Sequence, residues 1–372
     1  MSNWDSITQQ RWFMGKGRKV NSIKEYDTLP SGDTKISIVE VCFDKDENDF
    51  YAVIEDECKI GSVLAEYFGK KLPKEALLRT KPLNAEQSNS AFYSKGEFFF
   101  KLYRRLQVGE HPEAEIMEHL SQKTAQGFPK IAPEFYGDFS YTKSGETRTL
   151  GILEEHIPDA RNAWEISTDV QNGDAEFYKS AARQLGRTTA TMHKALKDLE
   201  GTAPQAEEVP YDKLIGLLKA NGREDLVERV ECIKLQQGQE ITKSNVLTPQ
   251  RIHGDYHLGQ LLYKDGKFIV LDFEGEPTRT LEYRRRLRSP AADIAGMLRS
   301  FAYASAVRND KDFEQTAAEA FLLGYSEESG IPVAQLKEEA SPYVLGKAIY
   351  EACYELEFRP SWFWIPEQAL KN

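Results

Sequence analysis

Apolar and polar positions divide the chain into three stretches of different character. In the first, a short amphipathic helix over Ser6–Phe13 precedes extended segments near Lys19–Tyr26, Lys35–Phe43 and Phe50–Glu55. Asp33-Thr34 and the acidic stretch Asp44–Asp49 read as turns between them. Gly61–Phe68 has helical character. In the second stretch, Ser90–Ser94 and Glu97–Arg104 are extended runs broken by Lys95-Gly96, a hairpin signal. Pro112–Gln122 places Ile116, Met117 and Leu120 on one helical side, and Arg148–Glu155 is an apolar strand. The third stretch is mostly helical, with long helices expected at Ala175–Leu199, Pro290–Ala306, Phe313–Tyr325 and Val344–Phe358. Two short strands, Gln260–Tyr263 and Phe268–Asp272, interrupt it around Lys264–Lys267. The pattern predicts an α+β chain with a unit at 1–85, a β-rich unit at 86–155 and a helical unit at 156–372.

Composition narrows the class. A net charge of −11 argues against nucleic acid or an anionic membrane surface as partner, yet leaves room for a nucleotide held by local cations. No apolar run reaches the roughly 18 residues of a membrane span, and the N-terminus lacks a signal peptide's basic and apolar regions. Four scattered cysteines without a C-x-x-C pair indicate free thiols and a cytoplasmic location.

The most informative stretch is RIHGDYHLGQLLYKDGKFIVLDFEGEP, Arg251–Pro277. Phosphoryl transfer needs a carboxylate near the attacking hydroxyl, metal ligands on the phosphates and cations on the phosphate oxygens. Asp255 is expected as the base that activates a hydroxyl. Gln260, five residues on, and Asp272, returned by the hairpin, are expected to offer oxygen ligands to Mg2+. The competing reading makes His253, Asp255 and His257 a hydrolase metal set. Lys101, on the apolar strand Phe98–Tyr103, is the expected phosphate-binding ammonium. Its burial calls for a carboxylate partner: Glu115, or alternatively Glu113. Arg104 and Arg105 are expected at the surface. The small residues Ser88, Asn89 and Ser90 suit a loop whose backbone N–H groups cover phosphates.

This stretch resembles the aminoglycoside-phosphotransferase-like kinases, whose loop reads H-G-D-x-H-x-x-N and whose metal motif opens D-F-E or similar; Gln260 replaces the usual Asn. The resemblance implies a bilobal protein-kinase-like fold with an N-terminal α/β cap, and ATP as the phosphoryl donor. The backbone at Glu154 to His156 would meet the adenine edge where the lobes cross over. Asp293 would brace the catalytic loop, and His253 would support it structurally.

Three further segments are Gln10–Arg18 (QRWFMGKGR), Arg279–Arg286 (RTLEYRRR) with Ala295–Phe301 (AGMLRSF), and Lys347–Glu355 (KAIYEACYE) with Arg359–Trp362 (RPSW). They are similar to bacterial maltokinases, which also occur as the kinase part of trehalose synthase fusions. That similarity implies phosphorylation of maltose at its anomeric hydroxyl, with functional links to trehalose synthase and a maltosyltransferase. Lys347, Tyr350, Glu351 and Tyr354 recur at helical spacing and offer aromatic faces and charges for a sugar, joined by Trp362 and His257. Glucosamine, or another amino sugar, is the alternative acceptor, with Glu351 or Glu355 facing the amino group. A non-catalytic nucleotide-binding regulator is the alternative outside enzymes.

Overall fold

The structure is a computed structural model that describes residues 4–31, 33–44, 47–83, 89–169, 175–238, 240–241 and 246–371. Its chain resolves into two compact units, one of residues 1–125, 132–159 and 277–281, the other of residues 126–131, 160–276 and 282–372. The stretches expected as 1–85 and 86–155 fall in the first, apart from residues 126–131.

In the first unit, β1 (Val20–Ser31), β2 (Thr34–Phe43) and β3 (Asn48–Ile54) form an antiparallel sheet. Alternation along β2 sends Ile36 and Ile38 to one core, with α1 (Ile60–Phe68) and α2 (Lys74–Leu78). It sends Val39, Val41 and Phe43 to a second core, closed by Ile7, Phe13 and Tyr51. Residues expected as a helix at 6–13 supply that cover as a single 3-10 turn, Asp5–Gln9. A second sheet contains β4 (Lys81–Leu83), β5 (Ser90–Ser94) and β6 (Phe98–Leu102). Next in the chain come β7 (Arg105–Leu106), which pairs with β3, and α3 (Pro112–Ala125). Then β8 (Phe135–Lys143) and β9 (Glu146–Glu155) complete the second sheet in the order β4-β5-β6-β9-β8. The β8 strand escaped the sequence pattern because register shifts at Phe135/Gly137 and Phe139/Ser140 break its alternation.

The second unit opens with β10 (Arg161–Asn162), α4 (Ala163–Thr168) and α5 (Ala175–Leu196). There follow β11 (Glu207–Glu208), α6 (Tyr211–Ala220), α7 (Glu224–Gln237), β12 (Glu240–Ile241) and the hairpin β13 (Leu261–Lys264) and β14 (Lys267–Val270). After the single-turn α8 (Leu281–Arg284) come α9 (Ala291–Arg308), α10 (Lys311–Ser329), α11 (Val333–Phe358) and α12 (Trp364–Lys371). The α11 helix begins eleven residues before its expected start at Val344. Pro342 lies inside it and reads in sequence as a helix boundary. Leu214, Leu218, Val230 and Ile233 of α6 and α7 pack on Ile349 and Ala352 of α11. Among the described residues, no helix is long and apolar enough to cross a membrane.

The α5 and α10 helices approach at Gly186 and Gly324. A Cβ on Gly186 would press into the Phe321 carbonyl, and one on Gly324 into the Arg183 carbonyl. Gly186→Ala is therefore expected to destabilise the fold by about 1–3 kcal/mol through overpacking, measured as a lower urea midpoint at an unchanged slope.

Candidate active site

The loop carrying Asp255 is fixed by one buried carboxylate. Asp293, in the first turn of α9 and 1 % exposed, accepts the backbone N–H of His253 (2.8 Å) and of Gly254 (2.9 Å). Its Oδ2 also lies 3.1 Å from His193 Nε2, and His193 Nδ1 lies 2.9 Å from the Tyr325 hydroxyl. Burial pushes the Asp293 carboxyl upward. The His193 hydrogen bond, the neighbouring imidazoles and the Gly254 amide outweigh it and hold the carboxyl below its ordinary range. His253 Nδ1 accepts from the Asp255 N–H (3.3 Å), so its proton sits on Nε2, which donates to the Leu271 carbonyl (2.8 Å). Gly254 adopts φ +85°, which a side chain would strain. The loop passes so close to α9 that a Cβ on Gly296 would strike the Tyr256 carbonyl.

Beyond the loop, β13 and β14 pair from Leu261↔Val270 to Lys264↔Lys267. This returns Asp272 to Gln260, whose Nε2 donates to Asp272 Oδ2 at 2.9 Å. Asp272 has φ +62°, a left-handed backbone uncommon for residues other than glycine and a mark of constrained sites. The pair has the donor chemistry for a hard divalent cation: a half-turn of the Gln260 amide would set its oxygen beside the Asp272 carboxylate, and Mg2+ would keep waters and substrate phosphates as its remaining ligands. Among the described residues, no group of three or more His, Cys, Asp and Glu side chains gathers as a metal site. That gives the hydrolase reading of His253, Asp255 and His257 no support.

A cavity of about 670 Å³ opens beside the loop, within the roughly 300–1,000 Å³ range of small-molecule sites. Asp255, His257 and Gly259 line it from the loop, and Gly296, Ser300 and Tyr303 from one stripe of α9. The α11 helix contributes Lys347, Tyr350, Glu351, Tyr354 and Glu355, followed by Arg359 and Trp362, and α4 contributes Trp164. The structure thus brings all the sugar-site residues expected from sequence into one cavity with Asp255. His257 accepts the Gly259 N–H on Nδ1 (3.1 Å), leaving the ring proton to Nε2. Burial, and then the Lys347 ammonium and His253, lower its pKa against the opposing pull of Asp255 and Asp272.

Both cavity glutamates carry arginine partners. Glu351 Oε2 accepts from Arg299 Nε (2.8 Å) and lies in an ion pair with Nη2 of the same guanidinium (2.8 Å). Glu355 Oε1 accepts the Tyr303 hydroxyl (2.9 Å) and Arg359 Nη2 (2.6 Å). Burial, the Glu351 charge and the Glu355 hydrogen bond raise the Tyr303 pKa well above that of an ordinary phenol. Tyr303 stacks on Trp362 with centroids 6.2 Å apart, and Arg359 lies over the Trp362 ring.

Within the first unit, Lys101 Nζ pairs with Glu113 Oε2 at 2.9 Å. The buried partner is thus Glu113 (2 % exposed) rather than the favoured Glu115, which turns about 200° around α3 and is half-buried. Tyr103, on the same strand face as Lys101, donates to the same oxygen (2.6 Å) and stacks on His111 (3.9 Å). Arg104 corrects a second expectation. It is 2 % exposed, bonded to Glu57, Ser90 Oγ and the Ala52 carbonyl, and lies over the Trp12 ring. Arg105 is half-buried and bonded to Asp49. Asn89 Oδ1 accepts the Arg104 N–H (3.3 Å), while Ser88 lies outside the described residues. Glu154 is buried at the end of β9; His156 stacks on Tyr93 and accepts the Gly96 N–H (3.0 Å).

Sequence reasoning did not single out Trp164, Tyr303, Arg299, His193 or Tyr103 as site residues. A usable signal existed for two: Arg299 and Tyr303 follow Gly296 at helical spacing on α9. His193 and Tyr103 act through partners distant in sequence or through strand geometry, and nothing local marks them.

Residues 79–330 match the model of the phosphotransferase enzyme family, and the chain belongs to that family. It is a phosphotransferase with a kinase-like fold, acting on an alcohol group. It is 25 % identical over 329 residues to a glucosamine kinase of Mycolicibacterium smegmatis, covering 78 % of each chain. Over 301 residues it is 22 % identical to a glucosamine kinase of Streptacidiphilus jiangxiensis, covering 72 % of this chain and 67 % of that one. A solved structure of glucosamine kinase in complex with glucosamine, ADP and inorganic phosphate superposes with a TM-score of 0.64. It shows 16 % identity and covers 99 % of this chain and 98 % of that chain.

Removing one partner of a buried charged network costs about 3–5 kcal/mol, so Asp293→Ala is expected to lose that much folding stability at pH 7. Because the Asp293 pKa is lowered on folding, its titration-linked stabilisation is fully present above about pH 4 and fades as pH falls through the folded value. Urea denaturation of both proteins at pH 7 and pH 3.5 should show the gap narrowing in acid.

Proposed function

We propose that this chain is an ATP- and magnesium-dependent sugar kinase whose acceptor is an amino sugar, with glucosamine the leading substrate. The observation that carries this reading is the cavity in which Asp255 shares its walls with His257, Lys347, Tyr350, Glu351, Tyr354 and Trp362. Both relatives named above are glucosamine kinases, and the superposed structure is a complex with glucosamine, ADP and inorganic phosphate. Asp255 would orient the acceptor hydroxyl and take its proton as the oxygen attacks the γ-phosphorus and the bond to the β-phosphate oxygen breaks, leaving ADP. Gln260 and Asp272 would hold Mg2+, which would neutralise negative charge on the nucleotide phosphates. Lys101, held by Glu113, would serve the nucleotide phosphates. The backbone near Glu154 and His156 would serve the adenine, and the loop at Asn89 and Ser90 would cover the phosphates.

The ammonium of an amino sugar needs a carboxylate oxygen. Glu351 suits it because Arg299 engages Oε2 and, among the described residues, none bonds to Oε1. Maltose is the second reading, favoured by a specific observation: the Tyr303–Trp362 stack extends the aromatic lining past the loop, and both glutamates already carry arginine partners. It would retain the links to trehalose synthase and a maltosyltransferase.

ADP release measured over glucosamine, maltose, glucose, trehalose and choline tests the reading, with glucosamine expected to give the highest kcat/KM. Silence with every sugar would sink it in favour of a non-catalytic nucleotide binder. Asp255→Asn is expected to lower kcat by about 10²–10⁴-fold with ATP binding retained. Glu351→Gln is expected to raise KM for glucosamine while leaving KM for neutral sugars near its wild-type value.

A further inference from the structure

Among the described residues, every aromatic ring of the cavity but one has a partner inside the protein. Tyr303 donates to Glu355 and stacks on Trp362; Trp362 carries the Arg359 guanidinium, which also lies 5.2 Å from the Tyr354 ring centre. Tyr354 packs against Phe358, and Tyr350 makes polar or ring contacts. The exception is Trp164. Among the described residues, its indole has neither a ring or cation contact nor an acceptor for its Nε1–H, yet it lines the cavity half-buried. An indole whose apolar face and N–H donor border the cavity and meet no described protein group is open to a ligand bound there.

Its placement is not casual. Asn162, the N-cap of α4, accepts the Trp164 N–H on Oδ1 (2.8 Å) and donates Nδ2 to the Gly259 carbonyl (3.0 Å). Asn162 also pairs with Leu262 across β10 and β13. The indole is thereby held in register with the loop one residue before Gln260, on the helix that packs against α9. Because α11 packs on α9 as well, the α9 stripe of Gly296, Ser300 and Tyr303 is a floor shared by the walls that bear Trp164 and the α11 residues.

We infer that Trp164 is a specificity-determining residue of the acceptor site, a stacking surface and N–H donor for the sugar ring. This inference rests on the sugar-kinase reading above. An indole face selects ring C–H surface and is indifferent to the amino group, so Trp164 sets affinity for hexose rings as a class while Glu351 sets the preference for an amino substituent.

The test uses the full chain as wild type, Trp164→Phe and Trp164→Ala, each first checked for an unchanged melting temperature. KM for glucosamine, maltose and ATP is measured, with tryptophan fluorescence titrated by each sugar. Loss of the stack and donor should raise KM for the accepted sugar by about tenfold in Trp164→Ala, with KM for ATP unchanged. Trp164→Phe should recover part of the loss, and the sugar-dependent fluorescence change should diminish in both variants. An unchanged sugar KM and fluorescence response in Trp164→Ala, with wild type active, overturns the inference and leaves the sugar-kinase reading standing. A wild type that neither binds nor phosphorylates any sugar overturns both.

Discussion

The chemistry of this chain depends on a buried carboxylate that never meets substrate. Asp293 takes the N–H groups of His253 and Gly254 and is in turn held through His193 and Tyr325. An isolated charge there would be costly, and three donors make it tolerable. Consecutive amides pinned to one carboxylate leave the next residue, Asp255, little backbone freedom. His253 adds to this by accepting the Asp255 N–H while donating to Leu271, one residue before Asp272. The loop and the hairpin thus share one imidazole, and the proposed base and proposed metal ligand are positioned by the same set of bonds.

The first unit shows the same economy at Glu113, where one oxygen receives both Lys101 and Tyr103. The lysine is nearly buried, so its ammonium needs a fixed partner, and the tyrosine hydroxyl keeps that carboxylate from turning away. Arg104 is held in a comparable way by Glu57, Ser90 and the Ala52 carbonyl, which ties β3 to the start of β5.

Chemistry was more legible in the sequence than packing. The spacing from His253 to Asp272 specifies a loop and a hairpin, and the period of Lys347 to Tyr354 specifies one face of a helix, because both are local. Glu113 and Glu115 differ only in their angle around α3, and sequence does not say which of them turns inward. Arg104 looks like surface charge until Glu57 and Ser90 come to it from distant segments. Pro342 hid the first half of α11, and the irregular register of β8 hid a whole strand. Trp164 was given no site role from sequence because its meaning lies in its place on the cavity wall, which only coordinates reveal.

The central claim is that Asp255 presents an alcohol, and not water, to the phosphoryl group. Phosphorus NMR of a mixture of the protein, magnesium, ATP and glucosamine tests it directly. The account predicts ADP and a sugar phosphomonoester growing in equal amounts. ADP accompanied by inorganic phosphate alone would contradict it.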